Sequence, residues 1–582
     1  MNFCPPSLFR YLYVVIAFRI FLLPVLAAGL LSGGCGRPAE GEARFVRFSY
    51  EGRDARFDRP VDPRNEYFNP VLAGFHPDPS ICRKGDDYFL VNSSFTFWPS
   101  IPIFHSRDLV HWRPLGFVLD RAEQAPLDSL RFNRGIYAPD ISYNPHNDTF
   151  YVVNTCVDGI ENFVVKCRDP FAGGWSDPIR LPEVEGIDPS FFFDDDGKAY
   201  LLHNGMPPGG RRWNSHRALW LREYDTATDR VVGEPVLLLD GGIDFAAHPE
   251  WLEGPHLYKH DGEYVLLAAE GGTYEGHAQV ALKSRHAKGP YRPCAHNPIL
   301  TQRDLPADRP DKVTSTGHAD MVETPSGEWY AVFLGCRPYA DDFYNTGRET
   351  FLLPVTWADG DPVILPAGEA VPTVVRKEGL EPDATLRPET GNFAWSTDFA
   401  AGLDDRWLRL RTPRSVWHRT DRRGLTLRDN GHTIDEVAAP AFVGCRQQHT
   451  DFAVETEMIC RPTEGQFAGL ALFQNERHHL LFGKVRRDGA DAVIVVRVEK
   501  EPETLAFIPL PPVDAKKSLR LRVRGEGGSC DLEYAAGDGA FVVAAQGVDT
   551  RNLSTHTARG FNGVVIGPYT GRLAAAAFAR GK

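Results

Sequence analysis

The sequence predicts an all-β protein, a five-bladed β-propeller followed by a second all-β module. Three observations predict it. A short pattern of turn, aromatic and aliphatic residues recurs five times between residues 76 and 333. Glycine and proline are abundant, 54 and 45 of 582 residues, which favours many tight turns and therefore many short strands. Alternating apolar and polar runs, Phe452–Ile459 and Leu519–Val523, then follow a stretch rich in Pro, Glu and Gly.

The five copies of the pattern are Gly85-Asp-Asp-Tyr-Phe-Leu-Val, Asn147-Asp-Thr-Phe-Tyr-Val-Val, Asp196-Gly-Lys-Ala-Tyr-Leu-Leu, Asp261-Gly-Glu-Tyr-Val-Leu-Leu and Ser326-Gly-Glu-Trp-Tyr-Ala-Val. Each reads as a tight turn feeding a buried strand. Their aromatics, Phe89, Tyr151, Tyr200, Tyr264 and Tyr330, are spaced as one four-stranded sheet plus loops requires. Eleven or twelve residues before each aromatic stands an ionisable side chain: Asp78, Asp140, Asp188, Glu253 and His318. Equivalent positions in a propeller converge on its axis, so four acids and a histidine are expected to meet at one end of the central channel. Any one of these could be an ordinary turn residue. Crowding four acids costs electrostatic energy, however, and such crowding is characteristic of working sites.

Composition narrows the function. The formal charge is −13 with no run of Lys and Arg, which argues against a nucleic-acid partner. The ten cysteines show neither Cys-x-x-Cys nor Cys/His ligand spacing, so no zinc site is indicated. Residues 1–35 read as an export leader. Arg10 and Arg19 flank the apolar run Tyr11–Phe18, and a second run, Ile20–Leu31, ends in Ser32-Gly33-Gly34-Cys35. Cys35 resembles the lipid-attachment site of bacterial lipoproteins. Membrane contact is thus expected only through this lipid or leader, and the protein is expected to be exported, as a periplasmic or cell-surface lipoprotein or otherwise secreted. Export permits disulfides, and Cys156 and Cys167 are the nearest pair, although buried free thiols fit equally. Residues 36–63 read as a polar tether, 64–363 as the propeller, 364–391 as a linker and 392–582 as the second module.

Hydrolysis of a glycosidic bond needs two carboxyl groups in opposite protonation states, one to protonate the leaving oxygen and one to activate water. Like charges in a confined site push one pKa up, and a third acid can tune the donor. The predicted channel supplies these groups. His76-Pro-Asp-Pro-Ser-Ile, Tyr137-Ala-Pro-Asp, Asp188-Pro-Ser-Phe-Phe and Glu253-Gly-Pro-His-Leu-Tyr, in this order, resemble the signatures of glycoside hydrolase family 43. That family comprises inverting β-xylosidases, α-L-arabinofuranosidases and arabinanases on five-bladed propellers. The resemblance implies that Asp78 is the general base, Glu253 the general acid, and Asp188 the group that orients the acid and raises its pKa. It implies that Asp140 is an axial supporting group. His318, in Gly-His-Ala-Asp, would touch the sugar or help hold an axial calcium. Arg348, in Thr-Gly-Arg-Glu-Thr, would reach the sugar. No cofactor is implied for the reaction itself. Phe95 aligns with a pocket aromatic, and Phe97 and Trp98 could wall the same pocket or lie in the core.

The second module resembles the concanavalin-like β-sandwich that follows the propeller in the xylosidase branch. Gly560-Phe561-Asn562-Gly563 is similar to the loop that closes the pocket there, which implies exo action with Phe561 at the sugar. The implied substrates are hemicellulose oligosaccharides: xylan, arabinoxylan, arabinan or xyloglucan side chains, cleaved at β-D-xylose or α-L-arabinofuranose. Two departures leave the pentose open. Tyr137 stands where many members have Trp, and Asn204-Gly-Met-Pro-Pro-Gly-Gly lacks an aromatic found in some β-xylosidases. The alternatives are a non-catalytic sugar-binding propeller, which would not need all three acids, and an endo-arabinanase, which would need an open groove.

Overall fold

A computed structural model describes residues 38–578. The first strands of five antiparallel sheets, Ser80–Lys84, Asp140–Asn144, Ser190–Phe193, Glu253–His260 and Thr314–Glu323, touch one another in a closed ring around the axis. From each, the chain meanders outward through three more strands, giving five blades. The repeat aromatics all fall on the second strand of their blade. The turn chemistry read from the sequence is present: Gly85, Gly197, Gly262 and Gly327 all adopt positive φ at these hairpins. The ring closes where residues before blade 1 clamp blade 5. Asn69 donates to the Leu352 carbonyl and accepts from the Leu352 amide, and the Val71 amide donates to Thr350.

The second module is a sandwich of an eight-stranded and a seven-stranded antiparallel sheet. Its predicted strands appear as Asp451–Cys460 and Leu519–Glu526, with the alternating burial that a half-solvated sheet requires. The expectation for residues 36–63 is corrected. β1 (Glu42–Arg53) is no tether but an interior strand of the eight-stranded sheet, paired with Asp451–Cys460 along its length and on its other edge with Gly424–Arg428 and Phe393–Thr397. Its inward side chains Phe45, Phe48 and Tyr50 are at most 1% exposed. The chain therefore starts the sandwich, builds the propeller, and returns to finish the sandwich. Within 364–391, Val374–Arg376 pairs with Glu66–Phe68, while Leu365, Val371 and Leu380 pack into the propeller core.

The two modules share a core. Phe75, Phe95, Phe97 and Phe132 of the propeller pack with Leu408, Leu410, Phe442, Phe473 and Val565 of the sandwich. Arg409–Leu410, in the run Trp407-Leu-Arg-Leu-Arg, pairs with Phe97–Trp98 of the propeller. Phe97 and Trp98 are accordingly core residues, not pocket walls. Arg337 is a buried bolt across the interface. It bonds Asp54 just after β1, both oxygens of Glu349 and the carbonyl of Gln448. Losing one partner of such a buried network is costly, because it leaves a charge uncompensated. All eight described cysteines, Cys156 and Cys167 included, are free and buried. Cys35 and the leader lie outside the described residues.

Candidate active site

A cavity of about 610 Å³ opens at one end of the propeller axis. Asp78, Asp188, Glu253, Phe95, Tyr137, His318, Arg348 and Phe561 all line it. The backbone explains how side chains from different blades converge. Asp78, Asp188 and His318 have φ of 50°, 53° and 51°, and in the fourth blade Gly254 takes φ 57° directly after Glu253. These left-handed residues stand two residues before the first strands of blades 1 and 3 and inside the first strands of blades 4 and 5, and Asp78, Asp188, Glu253 and His318 all line the cavity. A Cβ at Gly254 would stand 3.1 Å from the His318 ring, a contact tight enough to require the ring to shift.

Of the five, Asp140 alone does not line the cavity, and its predicted equivalence is corrected; Glu253, six residues before Lys259 across a bulge, departs from the common offset but still reaches the cavity. Asp78, Asp188 and His318 lie four residues before the residue that pairs with the blade aromatic (Cys82, Phe192 and Val322), whereas Asp140 lies two before its counterpart Ser142. The hairpin loop of blade 2, residues 145–148, is longer than the loop of blade 1, residues 85–86, so a constant sequence count hides the shift. Asp140 therefore belongs to a lower tier with Ser80, Ser190 and Asp320, beneath the cavity. There Asp140, His256 and Asp320 present ligand atoms within 4.8 Å of one another. Ser80 Oγ donates to both Asp140 and Asp320, the Phe191 amide to Asp140, and the Tyr258 hydroxyl to Asp320. Burial raises the Asp140 pKa to about 6, with His256 opposing and Asp320 reinforcing. His318 is not part of this cluster, although it lines a small pocket together with Asp140, Asp188 and His256.

The three upper acids are all buried yet differ electrostatically. Burial pushes the Asp78 pKa up, but the Arg348 guanidinium, with His318, the Ser93 hydroxyl and His277, outweighs it, so the pKa falls below the usual aspartate value. Arg348 contributes two hydrogen bonds, 2.9 and 3.3 Å, and Ser93 Oγ donates one of 2.6 Å. Among the described residues Asp188 accepts only from the Gly254 amide, at 3.2 Å, and burial together with the Asp78 charge raises it to about 7. Glu253 is raised well above the usual range by burial, then by Asp188 and Asp78. Burial also lowers His318 to about 4, so its imidazole is neutral at ordinary pH. At mildly acidic pH the site thus holds one carboxylate and two carboxylic acids.

The far wall of the cavity comes from the sandwich. Phe561 stacks on Phe95 at 5.6 Å between ring centres and meets Tyr137 edge-on at 5.9 Å, while the Arg348 guanidinium lies 5.1 Å from its ring. Its loop is fixed to the propeller: the Phe561 amide donates to Asn133 Oδ1 at 3.0 Å and the Val564 amide to the Asn345 carbonyl at 2.8 Å. Inside the sandwich, Gln474 and Thr555 donate to the Asn562 carbonyl. Sequence reasoning missed Arg134, Arg211, Arg217, Trp251 and Tyr274, which line the mouth. They lie in loops outside the repeat, where no periodic signal could mark them.

Residues 67–362 match glycosyl hydrolases family 43, and residues 396–579 match the β-xylosidase C-terminal concanavalin A-like domain. The chain belongs to glycosyl hydrolase family 43. A xylosidase/arabinosidase of Butyrivibrio fibrisolvens is 37% identical over 86% of this chain and 95% of its own length. A non-reducing end α-L-arabinofuranosidase of Bacteroides ovatus is 34% identical over 86% and 90%. Among solved structures, a GH43_12 retrieved from capybara gut metagenome superposes with a TM-score of 0.84 at 37% identity, covering 91% of this chain and 99% of that one. A xylan β-1,4-xylosidase from Bacillus halodurans gives 0.75 at 30%, covering 88% and 97%. Family 43 membership agrees with the sequence reading of a propeller glycosidase with a concanavalin-like partner domain, and these relatives fit that reading better than a non-catalytic propeller or an endo-arabinanase.

Proposed function

We propose that this family 43 glycosidase releases a single terminal pentose, β-D-xylose or α-L-arabinofuranose, from hemicellulose oligosaccharides with inversion at the anomeric carbon. The observation that carries the reading is the split between Asp78, held ionised by Arg348, and Glu253, held protonated, in one cavity closed by Phe561. Asp78 takes a proton from a water as its oxygen bonds to the anomeric carbon. Glu253 gives its proton to the departing glycosidic oxygen as that bond breaks. Asp188 adds to the raised pKa of Glu253 and, through the Gly254 amide, fixes the backbone beside it. Phe95, Tyr137 and Phe561 offer apolar faces to the sugar ring. The wall supplied by the sandwich limits the chain length that can enter, which supports exo action. Turnover of nitrophenyl β-D-xylopyranoside and nitrophenyl α-L-arabinofuranoside tests the reading; hydrolysis of neither overturns it.

The chain's own groups make both proton transfers. A calcium at the axis would draw on the carboxylate oxygens of Asp140 and Asp320, which suit a hard cation, with His256 beside them as the third group, rather than on His318 alone. Calcium binding by calorimetry, lost in His256→Ala, tests this. We also propose export with lipidation at Cys35, on the strength of the apolar runs and Gly33-Gly34-Cys35. Palmitate labelling lost in Cys35→Ala tests that.

A further inference from the structure

The cavity, about 610 Å³, has room for more than one sugar ring, and its lining differs from one end to the other. Phe95, Phe561, Arg348 and Asp78 form the inner end. The general acid has to stand beside the leaving oxygen, so the leaving group extends from Glu253 toward the loops of blades 3 and 4. Those loops carry Arg211, Arg217, Trp251 and Tyr274 at the mouth.

Arg217 is half-buried in the cavity wall, and its guanidinium lies 4.3 Å over the Trp251 ring. It donates at 2.8 Å to the neighbouring His216 carbonyl and forms no ion pair with any described carboxylate. The other arginines of the cavity are paired, Arg348 with Asp78 and Arg134 with Asp158, except Arg211, which is exposed and forms no ion pair among the described residues. Glu185 and Glu253 line the same cavity, and Glu253 acts electrostatically on Arg217 without forming an ion pair with it. Trp251, two residues before Glu253, holds φ 49°, a conformation unfavourable for a bulky aromatic and kept where surrounding structure enforces it. The Arg217–Trp251 stack is thus a braced cation whose planar donor fork matches a carboxylate.

We propose that Arg217, assisted by Arg211 and braced by Trp251, binds the carboxylate of a hexuronic acid unit on the leaving-group side. The preferred substrate is then an acidic, uronate-bearing hemicellulose fragment rather than a neutral one. This deepens the pentosidase reading and rests on it.

The test compares a neutral xylo-oligosaccharide carrying the scissile pentose with the same oligosaccharide bearing a glucuronic acid on the adjoining unit. The wild type is expected to favour the acidic substrate in kcat/KM by roughly three- to tenfold at low salt, the scale of a partly exposed charge pair. That preference should shrink toward one at about 1 M salt, where screening acts over about 3 Å. Arg217→Gln should abolish the preference, Arg217→Lys should restore part of it, and Arg211→Gln should reduce it. Equal turnover of both substrates by the wild type at low salt overturns the proposal, as does an undiminished preference in Arg217→Gln. Failure to hydrolyse even the neutral substrate or a nitrophenyl pentoside would instead strike the underlying reading, so the two failures are distinct. Titration of both oligosaccharides into Asp78→Asn gives an independent readout: tighter binding of the acidic one supports the assignment, and equal affinity overturns it.

Discussion

Arg348 grips both oxygens of Asp78, at 2.9 and 3.3 Å, and this pair divides the labour among three crowded acids. Without a bound cation, burial would push all three carboxyls toward the neutral form. With it, Asp78 keeps its charge, and that charge in turn raises Asp188 and Glu253. The grip is positioned from outside the cavity. Glu349, the next residue, is locked by Arg337 and accepts from the Gly74 amide, four residues before Asp78.

Arg348→Gln should therefore move the acidic limb of the kcat/KM profile to higher pH. The sign follows from the groups around Asp78: burial raises its pKa, Arg348 is the largest influence lowering it, and a base is useful only when ionised. The loss at the optimum should be roughly 10²-fold or more. An unmoved acidic limb would show that Arg348 does not set the charge of the base.

Asp78→Asn and Glu253→Gln should each lower kcat by roughly 10²–10⁴ on a natural oligosaccharide with the fold intact. The two should part company on an aryl pentoside with a very good leaving group, where little protonation is needed. There Glu253→Gln recovers much of its rate and Asp78→Asn does not. Proton NMR of the first product should show the inverted anomer; a retained one would assign Asp78 a nucleophilic role instead.

Asp188 should also make stability depend on pH. Its folded pKa, about 7, lies above the ordinary 3.8. The native state then binds a proton that the unfolded state has released, so stability is fully present below about pH 4 and is lost as pH rises through about 7. Asp188→Asn removes that proton exchange. The melting temperature of the variant minus that of the wild type should grow from pH 4 to pH 7 and then level, by differential scanning calorimetry at matched ionic strength. A constant difference would mean that Asp188 is ionised in the native protein.

The propeller and its acids were legible in the sequence because they repeat. Five hairpins with the same turn and aromatic pattern announce five blades, and the side chains that open each blade share an offset. The offset was legible only to within two residues. It placed Asp140 beside Asp78, although the longer hairpin of blade 2 lowers it to the tier of Asp320. Arg217 and Trp251 escaped notice because loop residues carry no period. β1 escaped for another reason. A single strand whose partners lie some 400 residues away looks, read locally, like any polar segment near a terminus.

Phe561→Ala should leave the fold intact, since Asn133, Gln474 and Thr555 hold its loop through backbone atoms and Asn562. It removes one face of the Phe95–Phe561 stack and the ring beside Arg348. The expected result is a raised KM, worth about 1–3 kcal/mol of lost apolar contact, with a smaller change in kcat. Oligosaccharides longer than those the wild type accepts should also become substrates. Unaltered KM and chain-length preference would place Phe561 outside the sugar site.

The strongest structural prediction concerns β1. It lies between strands from beyond residue 390 on both edges, so removing residues 38–53 would split the eight-stranded sheet down its interior. The unpaired edges of Asp451–Cys460 and Gly424–Arg428 would be left open to other chains. The inward faces vacated by Phe45, Phe48 and Tyr50 would open a cavity in the sandwich core. A chain beginning at Asp58 should therefore aggregate, although no residue of the catalytic cavity is missing. For the same reason the propeller cannot be isolated by cutting at residue 392, because β1 would remain attached without its sheet. A milder probe keeps the interpretation clean. Phe48→Ala removes a buried ring that packs against Trp395 and Trp407 and should cost about 3–5 kcal/mol, read as a lower denaturation midpoint with an unchanged slope. Because the Phe561 loop belongs to the same sandwich, activity should disappear in the same denaturant range in which the sandwich unfolds. A soluble, fully active chain starting at Asp58 would show that the sandwich folds without β1.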